Sequence, residues 1–195
     1  MPRENKTKYA ILGLIANRPM TGYDIKKRFE EHLGKFWNES YGQIYPILKE
    51  LNEEGLATRK VEQAKGRPVR NVVAITEKGL QELRTWLVKP TDPHKERLEI
   101  LLKLTSGAQM PIESSIRLVR EFREEWIRQM NGYGIIEKDL RLEFEGQPQF
   151  PYIEMAVDCG MHVGSAYIDW CDKTIERLQG MKESALGKPS EKRDV

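Results

Sequence analysis

The sequence is poor in the residues that disulfide frameworks and metal centres need. Among 195 residues only two are cysteine, Cys159 and Cys171, and three are histidine, His32, His94 and His162. Two isolated cysteines cannot build a disulfide framework, and no two histidines stand at metal-ligand spacing. Cys159 and His162 could approach each other on a helix, but a lone cysteine on an apolar stripe is usually a core residue. We therefore expect neither a metal ion nor a cofactor.

Long apolar runs and catalytic signatures are also missing. No run approaches the roughly 20 apolar residues of a membrane-spanning helix. The first residues, MPRENK, lack the apolar core of a signal peptide. No HExxH motif, no Ser–His–acid order and no phosphate-binding loop is visible. These absences favour a cytoplasmic protein that has no membrane segment and is not an enzyme.

Charges of both signs are abundant but unevenly spread. Hydrophobic residues make up 39% and charged residues 32% of the chain, and the net charge is +2. Residues 1–88 carry 16 Lys and Arg against 11 Asp and Glu, a net charge of +5. Residues 89–195 carry 16 against 19, a net charge of −3. A basic front half favours an anionic partner for that half.

Residues 7–88 predict three helices, a β-hairpin and a fourth helix. The first helix covers Thr7–Asn17, with Thr7 as its cap and an Arg-Pro pair as its stop. In a capping box, a hydroxyl cap is followed three residues later by an acid or an amide. Two such boxes open the second and third helices: Thr21 with Asp24, and Ser40 with Gln43.

Two predicted strands follow the third helix. Leu56–Gln63 and Val69–Ile75 are predicted strands, and Lys65–Pro68, KGRP, is the turn between them. Thr76 caps the fourth helix, whose buried face should hold Leu80, Leu83 and Leu87. Three helices followed by a hairpin is the order of a winged helix-turn-helix domain. The predicted fold is therefore mainly α with a small β-hairpin.

The third predicted helix contains a proline, Pro46, inside its apolar pattern. Proline lacks the backbone N–H, and its ring crowds the carbonyl four residues earlier, here that of Gly42. With Ser40 as the cap, Pro46 would be the sixth helical residue. We therefore expect a bend or a loosened first turn that carries Tyr41, Gln43 and Tyr45 toward a partner.

The residues behind the junction KPTDPHK predict helices only. A short helix holds Leu98, Leu101 and Leu102, a long helix runs from Ile112 to Phe144, and a last helix runs from about Tyr152 to Met181. The last helix should turn seven residues inward: Met155, Ala156, Cys159, Val163, Ala166, Trp170 and Leu178. Long helices with apolar stripes often pack against a second copy of the same chain.

These patterns divide the chain into three parts. We expect residues 1–88 to form a winged-helix DNA-binding domain. We expect residues 95–183 to form a helical dimerisation domain with antiparallel or coiled-coil-like packing. Residues 184–195, which are mostly charged or small, form a flexible tail. Ala156, Gly160 and Gly164, spaced four apart, would let two helix backbones of the second domain approach closely.

The start of the third helix carries the candidates for DNA recognition. In helix-turn-helix proteins, the N-terminal residues of one helix meet base edges in the major groove. Glutamine can pair with adenine, and a tyrosine hydroxyl can bind phosphate. The candidates here are Tyr41, Gln43, Tyr45 and Lys49. Two alternatives stay open, since Gln43 could turn back to the capping box and Tyr45 could belong to the core.

The hairpin carries five cations and one acid, Glu62. The cations are Arg59, Lys60, Lys65, Arg67 and Arg70. We assign Lys65, Arg67 and Arg70 to DNA phosphates, which such a hairpin can follow. Tyr23 and Lys26 open the second helix, which crosses the DNA backbone in this fold. The alternative is an ordinary solvated surface that binds nothing.

Aromatic residues of the rear half have two interpretations. Trp126, Tyr167 and Trp170 could line a pocket for a small hydrophobic effector. The alternative is that they belong to the core of a dimer.

Between Tyr9 and Leu87 the chain resembles the PadR family of transcriptional regulators. The resemblance is carried in order by YAILGLI, MTGYDI, FWNESYGQIYPILKELNEEGL and GRPVRNVVAITEKGLQELRTWL. It implies a homodimeric repressor on palindromic promoter DNA that a small aromatic or hydrophobic effector can release. The chain departs from the family at Asn38, where proline is frequent, and at Val73, where tyrosine is usual. The rival interpretation is a winged-helix protein-protein interaction module without specific DNA binding.

Overall fold

Four helices and a three-stranded antiparallel sheet form the first of two units in the computed structural model. The structure describes residues 5–31, 37, 41–62, 70–93 and 97–186, and the two units divide after Pro93. The helices of the first unit are α1 (Lys6–Asn17), α2 (Gly22–Glu31), α3 (Ile44–Glu53) and α4 (Glu77–Leu87). Its strands are β1 (Met20–Thr21), β2 (Ala57–Glu62) and β3 (Arg70–Ile75). This order confirms the winged-helix fold class predicted above.

The sheet has the strand order β1–β3–β2, and all its pairings are antiparallel. The hairpin strands pair over their whole length, from Ala57 opposite Ile75 to Glu62 opposite Arg70. Strand β1 was not predicted. It is only two residues long, and it pairs Met20 with Val73. The pairing brings the start of α2 directly beside the hairpin.

The core of this unit is formed by apolar side chains from α1, α2 and α3, together with residues of the sheet and of α4. Ile11, Leu12, Ile25, Ile44 and Leu51 are at most 1% exposed. The loss of water contact over such surfaces is the main stabilising contribution, about 25 cal/mol for each Å² of apolar area. One face of each helix is therefore buried in the core, whereas the opposite face of α3 is exposed.

Helix caps agree with the sequence at two of the described helix starts and differ at a third. The Thr21–Asp24 capping box is confirmed, because the Asp24 N–H donates to Thr21 Oγ1 and the Thr21 N–H donates to Asp24 Oδ2, both at 3.1 Å. Thr76 caps α4 by accepting a hydrogen bond from the Gly79 N–H. The prediction for α1 was wrong, because Asn5 is the cap and Thr7 lies buried inside the helix.

The buried face of α4 also differs from the prediction at one end. Leu83 is buried as expected, but Leu87 is 63% exposed. Trp86 takes the inward position instead, and its ring stacks on Tyr9 with centroids 4.5 Å apart. A large flat ring gains more from burial against α1 than the leucine beside it, so the helix ends with Leu87 turned outward.

The second unit is a helical hairpin with a short helix against it. Its helices are α5 (Glu99–Thr105), α6 (Ile112–Phe144) and α7 (Phe150–Leu186). The α6–α7 contacts run antiparallel, from the ion pair of Arg141 with Glu154 near the turn to that of Glu113 with Lys182 at the far end. Helix α6 continues through Gly132 and Gly134 to Phe144, as the apolar spacing predicted.

Of the seven residues of α7 predicted to face inward, only Trp170 and Leu178 pack against a core cluster. Val157 and Cys171 are buried where α7 meets α6, and Gly160 and Gly164 lie against Tyr133 and Met130 of α6. Six residues on the other side are exposed, and we call them the α7 stripe: Tyr152, Met155, Ala156, Cys159, Val163 and Ala166. Five of these six, all except Tyr152, were predicted to face inward. The prediction was wrong for them because α7 has two apolar faces, and helical periodicity cannot tell which face packs against α6.

Candidate nucleic-acid interface

A cleft opens where the start of α2, the outer face of α3 and the hairpin β2–β3 come together. Its volume is about 620 Å³. Four kinds of side chain line it: tyrosines, cations, one acid, and uncharged polar or apolar groups. The lining residues are Thr21, Gly22, Tyr23, Asp24, Tyr45, Leu48, Lys49, Asn52, Thr58, Arg59, Arg70, Asn71 and Val73.

The start of α3 explains the proline in the sequence. Tyr41–Gln43 form a single 3₁₀ turn, and the α-helix begins at Ile44. Pro46 is therefore the third residue of the α-helix, where no intrahelical partner exists for a backbone N–H in any case. The expected loosened first turn is confirmed, but the expected α-helical start at Ser40 is not, and Ser40 itself lies outside the described residues.

Three of the four recognition candidates expose their side chains. Gln43 is exposed, and its side chain makes no capping hydrogen bond to α3. Tyr45 is 58% exposed, so the alternative that it belongs to the core is wrong. Lys49 is exposed and lies 3.7 Å from Glu53 on the same helix. The side chain of Tyr41 and the capping partner of Gln43 lie outside what the structure describes.

The two candidates on α2 differ in position. Tyr23 is 69% exposed and lines the cleft. Lys26 is half-buried, does not line the cleft, and lies 3.4 Å from Glu30 one turn further along α2. Tyr23 therefore lies in the cleft with Tyr45 and Lys49, whereas Lys26 does not line it.

Of the hairpin candidates, Arg70 lines the cleft, while Lys65 and Arg67 lie outside the described residues. The sequence analysis did not assign Arg59 a contact, yet it is an exposed residue of the cleft. Directly opposite residues of an antiparallel pair share a face of the sheet. Arg59 opposes the buried Val73, so it continues the core-facing side of the sheet toward α3.

Asn52 and Asn71 are further polar residues of the cleft that the sequence analysis missed. Both are exposed. Asn71 opposes Val61 and shares the sheet face of Arg59, and Asn52 lies one turn after Lys49 on α3. The alternation of the strand and the helical spacing could have revealed them, once the register of the hairpin was known.

Cations outnumber acids among the lining residues of the cleft. Lys49, Arg59 and Arg70 face one acid, Asp24. Partial burial by itself raises the pKa of the Asp24 carboxyl, but hydrogen bonds from Thr21 and the nearby charges of Arg70 and Arg18 outweigh it, so the pKa lies below its ordinary value. Asp24 thus stays ionised as part of the α2 cap, and the remaining surface is positive.

The aromatic residues proposed for an effector form one cluster between α6 and α7. Trp126 and Tyr167 stack with centroids 4.7 Å apart. Phe122, which the sequence analysis did not include, makes edge-on contacts with Trp126, Tyr167 and Trp170 at 5.7 to 6.2 Å. These rings contact each other, so a ligand would have to insert among them.

Metal-binding and membrane-spanning features are not found in the described residues. Within them, no group of three or more His, Cys, Asp or Glu residues is arranged to hold a metal ion. No helix in that part of the chain has the length and apolar character to cross a membrane. Cys171 is buried, which raises the pKa of its thiol to about 11, whereas Cys159 is exposed.

Comparison with known proteins gives two family matches that together cover most of the chain. Residues 11–85 match the "Transcriptional regulator PadR-like family", and residues 96–179 match "Virulence activator alpha C-term". The negative transcriptional regulator PadR of Bacillus subtilis is 39% identical over 97 residues, which are 49% of this chain and 53% of that protein. The chain thus aligns with about half the length of that relative.

Solved structures align over more of the chain. Bacillus subtilis PadR in complex with operator DNA is 27% identical, has a TM-score of 0.76, and is matched over 89% of this chain and 99% of that one. The same protein in complex with p-coumaric acid is 26% identical, has a TM-score of 0.73, and is matched over 88% and 94%.

Proposed function

We propose that this chain, whose residues 11–85 form a domain of the PadR-like family of transcriptional regulators, is a homodimeric repressor that binds palindromic operator DNA through α3 and the hairpin β2–β3. The observation that carries the proposal is the cleft, where an exposed recognition face and three cations lie together. The name of the Bacillus subtilis relative, a negative regulator, supports repression rather than activation. The matching family and relative are transcriptional regulators, and we propose no enzymatic activity for this chain.

Helix α3 would enter the major groove with its N-terminal end at the bases. The major groove is about 12 Å wide and admits one α-helix. Gln43 and Tyr45 stand at this end, exposed, while Ile44 and Ile47 anchor the helix in the core. Tyr41 belongs to the same end by its place in the 3₁₀ turn. Gln43 would pair with a base, and the tyrosines would bind phosphate or sugar.

The hairpin would hold the phosphate backbone beside that groove. With α3 in the major groove, the phosphates beside that groove would pass through the cleft. Lys49, Arg59 and Arg70 line this path. We assign Lys65 and Arg67 the same role at the hairpin tip, on the basis of sequence alone, and Lys26 a position on the flanking backbone.

Sequence-specific binding is the test of this function. Fluorescence anisotropy would compare a duplex from the region upstream of the chain's own gene with a scrambled duplex of equal composition. A repressor should prefer the first by at least about 1,000-fold at physiological salt. Equal affinities would contradict operator recognition. No measurable binding to either duplex would favour the protein-interaction module.

The dimer is proposed to form through residues 95–183, with the α7 stripe at its centre. The stripe carries no charged residue and is exposed over four turns of α7. Its members follow helical spacing, so they form one continuous surface. A second copy of the same surface would cover it without leaving a buried charge.

Residues 1–88 would then be the DNA-binding domain. For the predicted tail, 184–195, α7 continues to Leu186, and residues 187–195 lie outside the described part.

Placing a charge on the stripe should separate the dimer. Val163→Glu should reduce the mass measured by light scattering from twice 22.7 kDa toward one chain, because a carboxylate buried without a partner costs several kcal/mol. Gln179→Glu adds the same charge at an exposed position of α7 outside the stripe and should leave the mass unchanged. A Val163→Glu protein with the mass of the wild type would place the dimer contact elsewhere.

A small aromatic acid is the proposed effector, and the cluster around Trp126 is its proposed site. The p-coumaric acid complex of Bacillus subtilis PadR supports the ligand class. Calorimetric titration of the full chain with p-coumaric acid should give binding that Trp126→Ala removes. Tyr23→Ala, a matched change of an exposed ring in the other unit, should not affect it. Binding unchanged by Trp126→Ala would exclude this cluster as the site.

A further inference from the structure

Gly22, the first residue of α2, supports the ring of Tyr45 on α3. A β-carbon at Gly22 would lie 2.9 Å from Cε1 of Tyr45, 3.4 Å from Cδ1 of Leu48 and 3.6 Å from Cδ1 of Tyr45. Contacts under 3.0 Å are essentially never made by real β-carbons. The ring of Tyr45 therefore occupies space that a β-carbon at position 22 would take, and the ring would have to move to admit it.

Backbone freedom does not explain this glycine. Among the described glycines, only Gly55 and Gly146 have positive φ, so Gly22 has a conformation that any residue can adopt. Within a helix, glycine is less favourable than alanine by up to about 1 kcal/mol. Glycine matters at position 22 because it has no side chain that would lie under the Tyr45 ring.

The backbone under the ring is held by hydrogen bonds. Thr21 and Asp24 form the capping box around Gly22, with both of its backbone bonds at 3.1 Å. Thr21 also pairs with Val72 in the sheet. A tyrosine that is 58% exposed would otherwise be free to change rotamer, and a fixed ring loses less conformational entropy when it binds.

We propose that Gly22 is a positioning residue for DNA binding, which fixes the Tyr45 ring so that its hydroxyl donates a hydrogen bond to a backbone phosphate in the cleft. This inference rests on the proposed function. Tyr45 lines the cleft together with Arg59 and Arg70, so its hydroxyl belongs to the path assigned to the phosphates. A phosphate contact positions the protein without reading sequence.

A double-mutant cycle tests the inference. Gly22→Ala should weaken binding by the dimer by about 100-fold on operator and scrambled duplexes alike, which is about tenfold for one displaced hydrogen bond in each protomer. The salt dependence should not change, because tyrosine carries no charge. In the Tyr45→Ala background, Gly22→Ala should change the affinity by less than about twofold, since coupled residues are not additive. An equal loss in both backgrounds would overturn the proposal.

Two controls separate other causes. Gly13→Ala changes a helical glycine with no atom within 4 Å of its added β-carbon, and it should leave the affinity unchanged. If the wild type binds no duplex, the proposed function is wrong, and Gly22 does not position Tyr45 for DNA binding. The packing of the Tyr45 ring on Gly22 is then measured separately by NMR. Contacts between the Gly22 α-protons and the Tyr45 ring should be observed. Their absence would refute the packing.

Discussion

Changing Arg59 to glutamate should weaken duplex binding by about 100-fold at 0.1 M salt. It should also flatten the salt dependence of log affinity by about 2 units, because each of the two protomers would neutralise one phosphate fewer. Arg59 was assigned no role from sequence, but it lies in the cleft on the core-facing side of the hairpin. The substitution removes a cation from the proposed path of the phosphates and places a repelling carboxylate there. Arg59→Lys keeps the charge and should lose far less affinity.

Arg84 provides the matched control for Arg59. It is an exposed arginine of α4 in the same unit, it does not line the cleft, and its ion pair with Glu77 is long at 3.9 Å. Arg84→Glu changes the net charge by the same amount, so any effect of total charge on association appears equally in both variants. If the two variants bind duplex with affinities within about threefold, the cleft is not the phosphate path.

Changing Gly79 to alanine should lower the unfolding free energy of the first unit by about 3 kcal/mol, at the upper end of overpacking effects. The new β-carbon would lie 2.0 Å from the carbonyl oxygen of Leu56 and 2.9 Å from its carbonyl carbon. These are backbone atoms and cannot rotate away. The same carbonyl accepts the Thr76 N–H at 3.0 Å, so relief of the clash would disturb the connection between α3, the sheet and the cap of α4.

Hydrogen exchange of the α1 and β3 amides measures this effect in the first unit alone. Gly13→Ala is again the matched control, because alanine has open space there and should stabilise α1 by up to about 1 kcal/mol. Two glycine-to-alanine changes in one unit are thus expected to act in opposite directions. A Gly79→Ala protein whose slowest amides exchange at wild-type rates would show that the close approach to Leu56 does not exist.

The fold could be predicted from sequence wherever local chemistry decides it. The Thr21–Asp24 capping box, the stop after Asn17 and the β-branched hairpin strands depend on neighbouring residues only, and they are found near their predicted places. Strand β1 was missed because two residues carry no periodicity, and its pairing with Val73 depends on the tertiary fold. Thr7 was taken as a cap because hydroxyl residues favour that position, but Asn5 is the cap in the structure.

The sequence predicted some residues of the candidate site, but not those that depend on how α3 packs beside the hairpin. Exposure of Lys49 follows from the helical pattern, whereas the pattern left Tyr45 open between surface and core. Arg59, Asn52 and Asn71 required the register of the hairpin against α3. The face of α7 was ambiguous because the two glycines that approach α6 and the exposed stripe share one helix. Only the packed structure shows that Gly160 and Gly164 meet Tyr133 and Met130.

The salt dependence of duplex affinity tests the central claim most directly, and it needs only the wild-type protein and a labelled duplex from the region upstream of its own gene. Counting the cations of the cleft and the hairpin tip in both protomers, we predict that about 6 to 10 phosphates are neutralised, with a slope of log affinity against log salt of about −5 to −9. A slope near zero, or no binding at low salt, would contradict a DNA-binding role for this surface and favour a protein partner.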